Sequence, residues 1–171
     1  MSHSKLRVAV LRGGPSKQYD LSLKTGQNIL AHLRSMDEKY EPLDVLISKD
    51  GAWHSHGLPK DPHEVLAHVD IVWNALHGEY GEDGRIQQIL DGLKIPYTGA
   101  GAVSSALTWH KDKTKEIFKS NGLLTPEHIL LDESSLTKPK LVEIFRNFLH
   151  PVVVKPSRGE SLGEVRLAHT F

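Results

Sequence analysis

Between His77 and Gly84 the chain reads His-Gly-Glu-Tyr-Gly-Glu-Asp-Gly, polar groups separated by glycines. Histidine titrates near neutral pH, so His77 can carry a proton or a hydrogen bond. Glu82 can orient that imidazole or meet the ammonium of a substrate. Glycines such as Gly78 let backbone approach a small ligand, and N–H groups gathered near a helix start favour anions. Two lysines stand at the edges of expected elements. Lys111 lies in Trp109-His110-Lys111-Asp112-Lys113-Thr114-Lys115, and Lys155 directly follows Val152-Val153-Val154. Each pattern also has a plain reading. The octet is equally a helix-entry turn in which Asp83 caps the helix and His77 is structural, and spacing alone favours that turn. Lys111 to Lys115 is equally a solvated lysine-rich helix face. His54 and His56 form an H-x-H pair without a third ligand nearby, so they read as a solvated loop and no metal ligand is assigned.

The elements that must hold these groups alternate. Ile71, Val72 and Trp73 form an apolar strand that runs into the octet. Ile86, Ile89, Leu90 and Leu93 then recur at helical spacing. Ile95 to Thr98 reads as a short strand ending in Gly99-Ala100-Gly101 before another helix. Strand, polar loop, helix, strand, glycine loop, helix predicts an α/β fold, a mostly parallel doubly wound sheet with helices on both faces. Ligands of such sheets gather beyond the carboxyl ends of the strands, where the octet sits.

The remaining elements follow in order. Leu6 to Leu11 predicts the first buried parallel strand. Leu21, Thr25, Ile29, Leu30 and Leu33 form the stripe of the first helix, with Asp20 as its N-cap. Tyr40 to Ser48 predicts the second strand, Trp53 to Gly57 a hairpin return or loop, and Pro62 to Val69 a short helix. Helices are expected at 102–108 and 111–121, the latter closed by Gly122. Glu127 to Leu131 reads as a strand, Leu136 to Phe148 as an amphipathic helix, and Val152 to Val154 as a strand. The run Gly13-Gly14-Pro15-Ser16 does not give G-x-G-x-x-G, which argues against a nicotinamide-type site.

Composition narrows the function. A chain of 171 residues, 39% apolar and 25% charged, can bury a core. Its formal net charge of zero gives no overall pull toward nucleic acid or membrane, and no apolar run approaches the ~20 residues of a membrane helix. Zero cysteines exclude disulfides and thiol catalysis and fit a cytoplasmic protein.

The run ALHGEYGEDGRIQQILDGLKIPYTGAGAVSSAL closely resembles the D-alanine–D-alanine ligases, members of the ATP-grasp superfamily. A second stretch, HPVVVKPSRGESLGEVRLAH, is similar to the part of that family that holds ATP phosphates, and the likeness spans nearly the whole chain. The resemblance implies a pre-ATP-grasp substrate domain over residues 1–101. The start of an ATP-grasp α+β subdomain follows over residues 102–171. It implies ATP-dependent joining of two D-alanines through an acyl phosphate, for peptidoglycan precursors. His77, Gly78 and Glu82 would hold the first D-alanine, Lys111 and Lys155 would hold ATP, and Ser161 would lie near the acyl group and phosphates. Mg²⁺ would bridge the phosphates, with its ligands and the C-terminal catalytic domain outside this chain. Relatives often form homodimers through the first domain.

Departures from the family pattern weigh against activity. Gln18 stands where the family has a glutamate that meets the D-alanine ammonium. Exchanging a charged for a neutral hydrogen bond is expected to cost about a tenfold loss of affinity. His110 stands where Asp or Asn is usual. In the loop after Lys155, Leu162 replaces a serine, and Glu160 and Glu164 bring two carboxylates where phosphates are expected. The length, short of the roughly two domains the family needs, suggests a truncated chain. The competing expectation is therefore a non-catalytic remnant that binds a ligand or partner.

Overall fold

The computed structural model describes residues 4–159 and 164–169, and the chain forms two compact units, Met1–Thr108 and Trp109–Phe171. In the first unit the strands are β1 (Leu6–Gly13), β2 (Tyr40–Ile47), β3 (Trp53–Ser55), β4 (Leu58–Pro59) and β5 (Ile71–Asn74). They form one sheet in the order β4-β3-β2-β1-β5. Its centre is parallel, with β1 paired to both β2 and β5, and β3 and β4 add an antiparallel edge. Residues 53–57, whose sequence suits either a hairpin return or a loop, form part of a hairpin. His56 and Gly57 form its two-residue turn with φ of 52° and 78°, and positive φ at both positions matches the twist of paired strands.

Side chains of a strand alternate between faces, and β1 uses both. Val8 and Val10 pack with Leu30, Leu33 and Ala75, whereas Ala9 and Leu11 pack with Val45, Ile47, Val72, Ile86 and Leu90. The helices that supply these partners are α1 (Tyr19–Ser35), α2 (Pro62–Leu66) and α3 (Arg85–Gly92), followed by α4 (Ala102–Trp109). This is the doubly wound arrangement expected from the alternating pattern.

Several local expectations change. The buried face of α1 is Ser22, Gly26, Leu30 and Leu33, while Leu21 is exposed. The stripe is rotated because Gly26 lets the helix sit against the Arg12 side chain, which a Cβ there would strike at 2.6 Å. Gln18, not Asp20, is the N-cap residue, and Asp20 lies in the first turn. Helix α2 stops at Leu66, capped at its start by Asp61, which accepts from the His63 N–H at 2.8 Å. The segment Ile95 to Thr98 is reduced to one parallel bridge between Val72 and Tyr97. Pro96 has no N–H for a longer ladder, although its carbonyl accepts from Val72 N and Val72 O accepts from Thr98 N.

The second unit contains α5 (Lys111–Ser120), α6 (Lys138–Asn147), β6 (Val152–Val154) and β7 (Arg166–Ala168), with β6 and β7 antiparallel. Helix α5 closes as expected at Gly122. The Gly122 N–H donates to Lys119 O and the Leu123 N–H to Phe118 O, the paired bonds of a Schellman motif. Residues 127–131 are not a strand, and none of the described residues pairs with them. Helix α6 begins two residues later than its pattern suggested, because Thr137 caps it by accepting from Lys140 N. Leu136 therefore lies outside the helix.

Candidate functional site

Two loops leave the same edge of the first sheet, one after β1 and one after β5, because these neighbouring strands run parallel. Gly13 ends β1 at φ 92°, and a Cβ there would collide with the Ile47 carbonyl oxygen, so the turn requires glycine. The fully buried Ser22 hydroxyl then ties the two loops together. It accepts from the Gly13 N–H and donates to the Ala75 carbonyl, each at 2.8 Å.

One turn further along α1, Thr25 Oγ1 lies 2.9 Å from His77 Nε2. The other ring nitrogen, Nδ1, faces Glu82 Oε1 at 3.7 Å. The structure thus brings together His77 and Glu82, with the His77 side chain 28% and that of Glu82 52% exposed, open to a small ligand. Gly78 is buried at φ 72°, and its carbonyl accepts from the Glu82 N–H at 2.9 Å, which curls the loop so that Glu82 returns toward His77. Sequence reading placed Thr25 in the apolar stripe and missed its contact with His77. The available signal was its position three residues after Ser22, on one helix face.

The rest of the octet is scaffold. Gly81 O accepts from both Asn74 Nδ2 and Gln87 Nε2 at 2.9 Å. Tyr80 takes φ 72° and its hydroxyl accepts from Trp53 Nε1. Asp83 accepts from the Tyr80 and Arg85 N–H groups and from the Arg85 side chain. Burial pushes the Asp83 carboxyl up, yet these bonds, led by Arg85, outweigh it and hold its pKa below the ordinary value. The cap position itself is Gly84 in the left-handed region, so Asp83 braces the turn from one residue earlier. The plain and the chemical readings of the octet therefore divide it. Asp83 is structural, while His77 and Glu82 form an accessible pair.

Gln18 sits at the start of α1 after the β1 loop, its N–H donating to Ser16 Oγ and its carbonyl accepting from Ser22 N. Its side chain makes no capping bond.

In the second unit the loop after β6 is held against the start of α5. The Lys111 N–H donates to Ser157 O, Lys111 Nζ to Gly159 O at 2.8 Å, and Ser157 Oγ to Asp112 at 2.6 Å. His110 occupies the N-cap position of α5 in an extended conformation without a side-chain capping bond, and bridges to Arg158. Lys111 and Lys155 are close enough to repel. Burial lowers the Lys111 pKa, the Lys155 charge lowers it further, and Glu164 opposes the shift. Lys115 is lowered by burial, then by Lys155 and Lys119. The three lysines form a concentration of positive charge suited to a polyanion, with the Glu164 carboxylate beside it. Ser161 and Glu160 lie outside the described residues. Among the described residues no group of three or more histidines and carboxylates is arranged to hold a metal ion, so no Mg²⁺ ligand is assigned here. His54 instead meets Ser48 Oγ. No described helix is long and apolar enough to cross a membrane.

Solved structures share this architecture. A D-alanine–D-alanine ligase from Coxiella burnetii superposes with a TM-score of 0.81 over 98% of this chain and 56% of its own, at 24% identity. The ligase from Bacillus anthracis, in a structure complexed with ATP, gives 0.70 at 29% identity over 96% of this chain and 50% of its own. The fold is thus the α/β architecture of ATP-grasp proteins. A profile described as D-ala D-ala ligase N-terminus matches residues 54–100. The D-alanine–D-alanine ligase of Nitrosospira multiformis is 40% identical over 163 residues, 95% of this chain and 48% of that protein. The chain is similar to D-alanine–D-alanine ligases and spans about half the length of the curated relatives it matches.

Proposed function

We propose that this chain provides the amino-acid cradle and part of the ATP-phosphate site of a D-alanine–D-alanine ligase. Residues 1–101 correspond on this reading to the substrate domain and residues 102–171 to the opening of the ATP-grasp subdomain. The observation that carries the reading is the His77–Glu82 pair, held open at the strand ends by Thr25 and Gly78. A zwitterionic amino acid needs a donor for its carboxylate and an anion for its ammonium, and this pair offers both. Gln18 takes its place beside them with a neutral amide. Lys111 and Lys155 neutralise ATP phosphates, and Ser161 contributes a hydroxyl near the transferred group. In the reaction, a D-alanine carboxylate oxygen bonds to the γ-phosphorus and ADP leaves. The second D-alanine's amine then attacks the acyl carbon, phosphate leaves and the amine loses its proton. Mg²⁺, when bound, offsets phosphate charge. The product would serve peptidoglycan synthesis in the cytoplasm, and a homodimer through the first unit is in keeping with the family.

A second reading, a module that binds ligand without turnover, is favoured by Gln18 and by Glu164 beside the lysines. Calorimetry and phosphate release on the 171-residue chain test both readings, and turnover would exclude the second. Weak Mg-ATP binding with no D-alanyl-D-alanine is the expected result for the chain alone, whereas D-alanine-dependent phosphate release would show it to be a complete catalyst. No binding of either ATP or D-alanine sinks both readings. Gln18→Glu is expected to tighten D-alanine binding about tenfold, and an unchanged affinity would remove position 18 from the cradle.

A further inference from the structure

We propose that Thr25 is a positioning residue that fixes His77 as its Nδ1–H tautomer, leaving one N–H beside Glu82 to bind a ligand's carboxylate. The argument starts from where threonine hydroxyls go inside helices. They commonly bond a carbonyl one turn back, and Thr108 and Thr114 do so, donating to Ser104 O and His110 O at 2.9 Å. Thr25 is equally interior to its helix, yet among the described residues its hydroxyl meets His77 Nε2, also at 2.9 Å, and no backbone carbonyl. Its proton is therefore available to the imidazole.

The second ring nitrogen decides the direction of that bond. A neutral imidazole has one N–H and one lone pair. Were Nε2 the donor, the Nδ1 lone pair would face the Glu82 carboxylate at 3.7 Å, an acceptor against an acceptor. With Thr25 donating to Nε2, the proton sits on Nδ1 and its dipole points at Glu82. This assignment satisfies both neighbours, and the hydrogen bond at one nitrogen sets the proton on the other. Because 3.7 Å is too long for a hydrogen bond, the Nδ1–H is not consumed by Glu82. A ligand carboxylate can take that N–H while its ammonium takes Glu82. The α1 face thus carries two hydroxyls with separate tasks: Ser22 joins the two loops, and Thr25 orients the imidazole.

The consequence for D-alanine rests on the proposed function, but the tautomer does not, and the experiment keeps them apart. Ring nitrogens of the ¹⁵N-labelled 171-residue chain are observed by long-range ¹H–¹⁵N spectroscopy. The pH is about two units above the ordinary histidine value. The His77 signals, one set among 11 histidines, are identified by their loss in His77→Gln. Nδ1 is expected as the protonated nitrogen and Nε2 as the acceptor. Thr25→Val, which keeps the shape and removes the hydroxyl, moves population to Nε2–H, and Thr25→Ser restores the original pattern. D-alanine affinity should fall about threefold to tenfold in Thr25→Val and recover in Thr25→Ser. An Nε2–H imidazole in the unaltered chain overturns the proposal, as does a Thr25→Val spectrum with the tautomer unchanged. If Thr25→Val fails to fold, the unaltered chain and Thr25→Ser still decide, since both must show Nδ1–H. Failure of the unaltered chain to bind D-alanine counts against the cradle and leaves the tautomer result intact.

Discussion

Every buried apolar residue among those described lies in the first unit, the last of them being Leu90. The second unit has apolar residues in plenty, yet Leu124, Leu149, Val153, Val154 and Leu167 are all exposed. The difference follows from what each sequence can layer. In the first, a five-stranded sheet receives helices on both faces, so Val8 to Leu11 of β1 all find a partner. In the second, the described residues form a two-stranded pair whose side chains are exposed or only partly covered, and a lone pair of strands is marginal in water. The first unit therefore holds its site geometry through its own core. The second relies on the hydrogen bonds between the start of α5 and the loop after β6.

The sharpest way to break this contrast is to cut equivalent apolar side chains from each unit. Leu90 is fully buried on α3, and Leu90→Ala is expected to cost ~2–5 kcal/mol. Ile144 on α6 is only partly covered, and Ile144→Ala should cost roughly 1 kcal/mol or less of the main transition. Urea unfolding followed by circular dichroism gives both numbers. Equal losses would mean that the second unit has a core of its own.

A polar test of the first unit is smaller. Ser22→Ala removes the hydroxyl that serves the Gly13 N–H and the Ala75 carbonyl, and leaves both buried groups short of a partner. The expected cost is ~1–3 kcal/mol. It should also loosen His77, visible as faster amide exchange from Ala75 to Gly78. A loss of stability without faster exchange there would confine Ser22 to the β1 turn and detach it from the site.

Legibility follows the same divide. The first sheet and α3 were readable because strand alternation and helical spacing coincide with real burial at Val8, Leu11, Val72, Ile86 and Leu90. The face of α1 was legible at Leu30 and Leu33 but not in its first turns, because Ser22 and Gly26 are buried for reasons hydropathy does not carry, a hydrogen-bond bridge and a close approach to Arg12. His77 and Glu82 stood out by residue type between glycines. Thr25 did not, since its role depends on a loop 52 residues away. In the second unit, Glu127 to Leu131 has the composition of a strand, yet no described residue pairs with it. Composition there overstates structure.

The smallest expected effect concerns the lysines. Lys111 is lowered by burial and by Lys155, with Glu164 opposing. Its folded pKa thus lies below the unfolded value of about 10.4. Between those two values the unfolded chain binds more protons, so stability rises with pH across the window and is lowest beneath it. A polyphosphate beside Lys111 favours the ammonium and pushes the pKa back up. Mg-ATP binding within the window should therefore take up a fraction of a proton, read by calorimetry as an enthalpy that depends on the buffer's own heat of ionisation. Lys111→Met should remove that dependence while leaving the unfolding of the first unit unchanged. Buffer-independent enthalpies in the unaltered chain would mean that the phosphates do not approach Lys111. The positive charge of the second unit would then be no more than a lysine-rich surface, and its contrast with the first unit would extend from the core to the site.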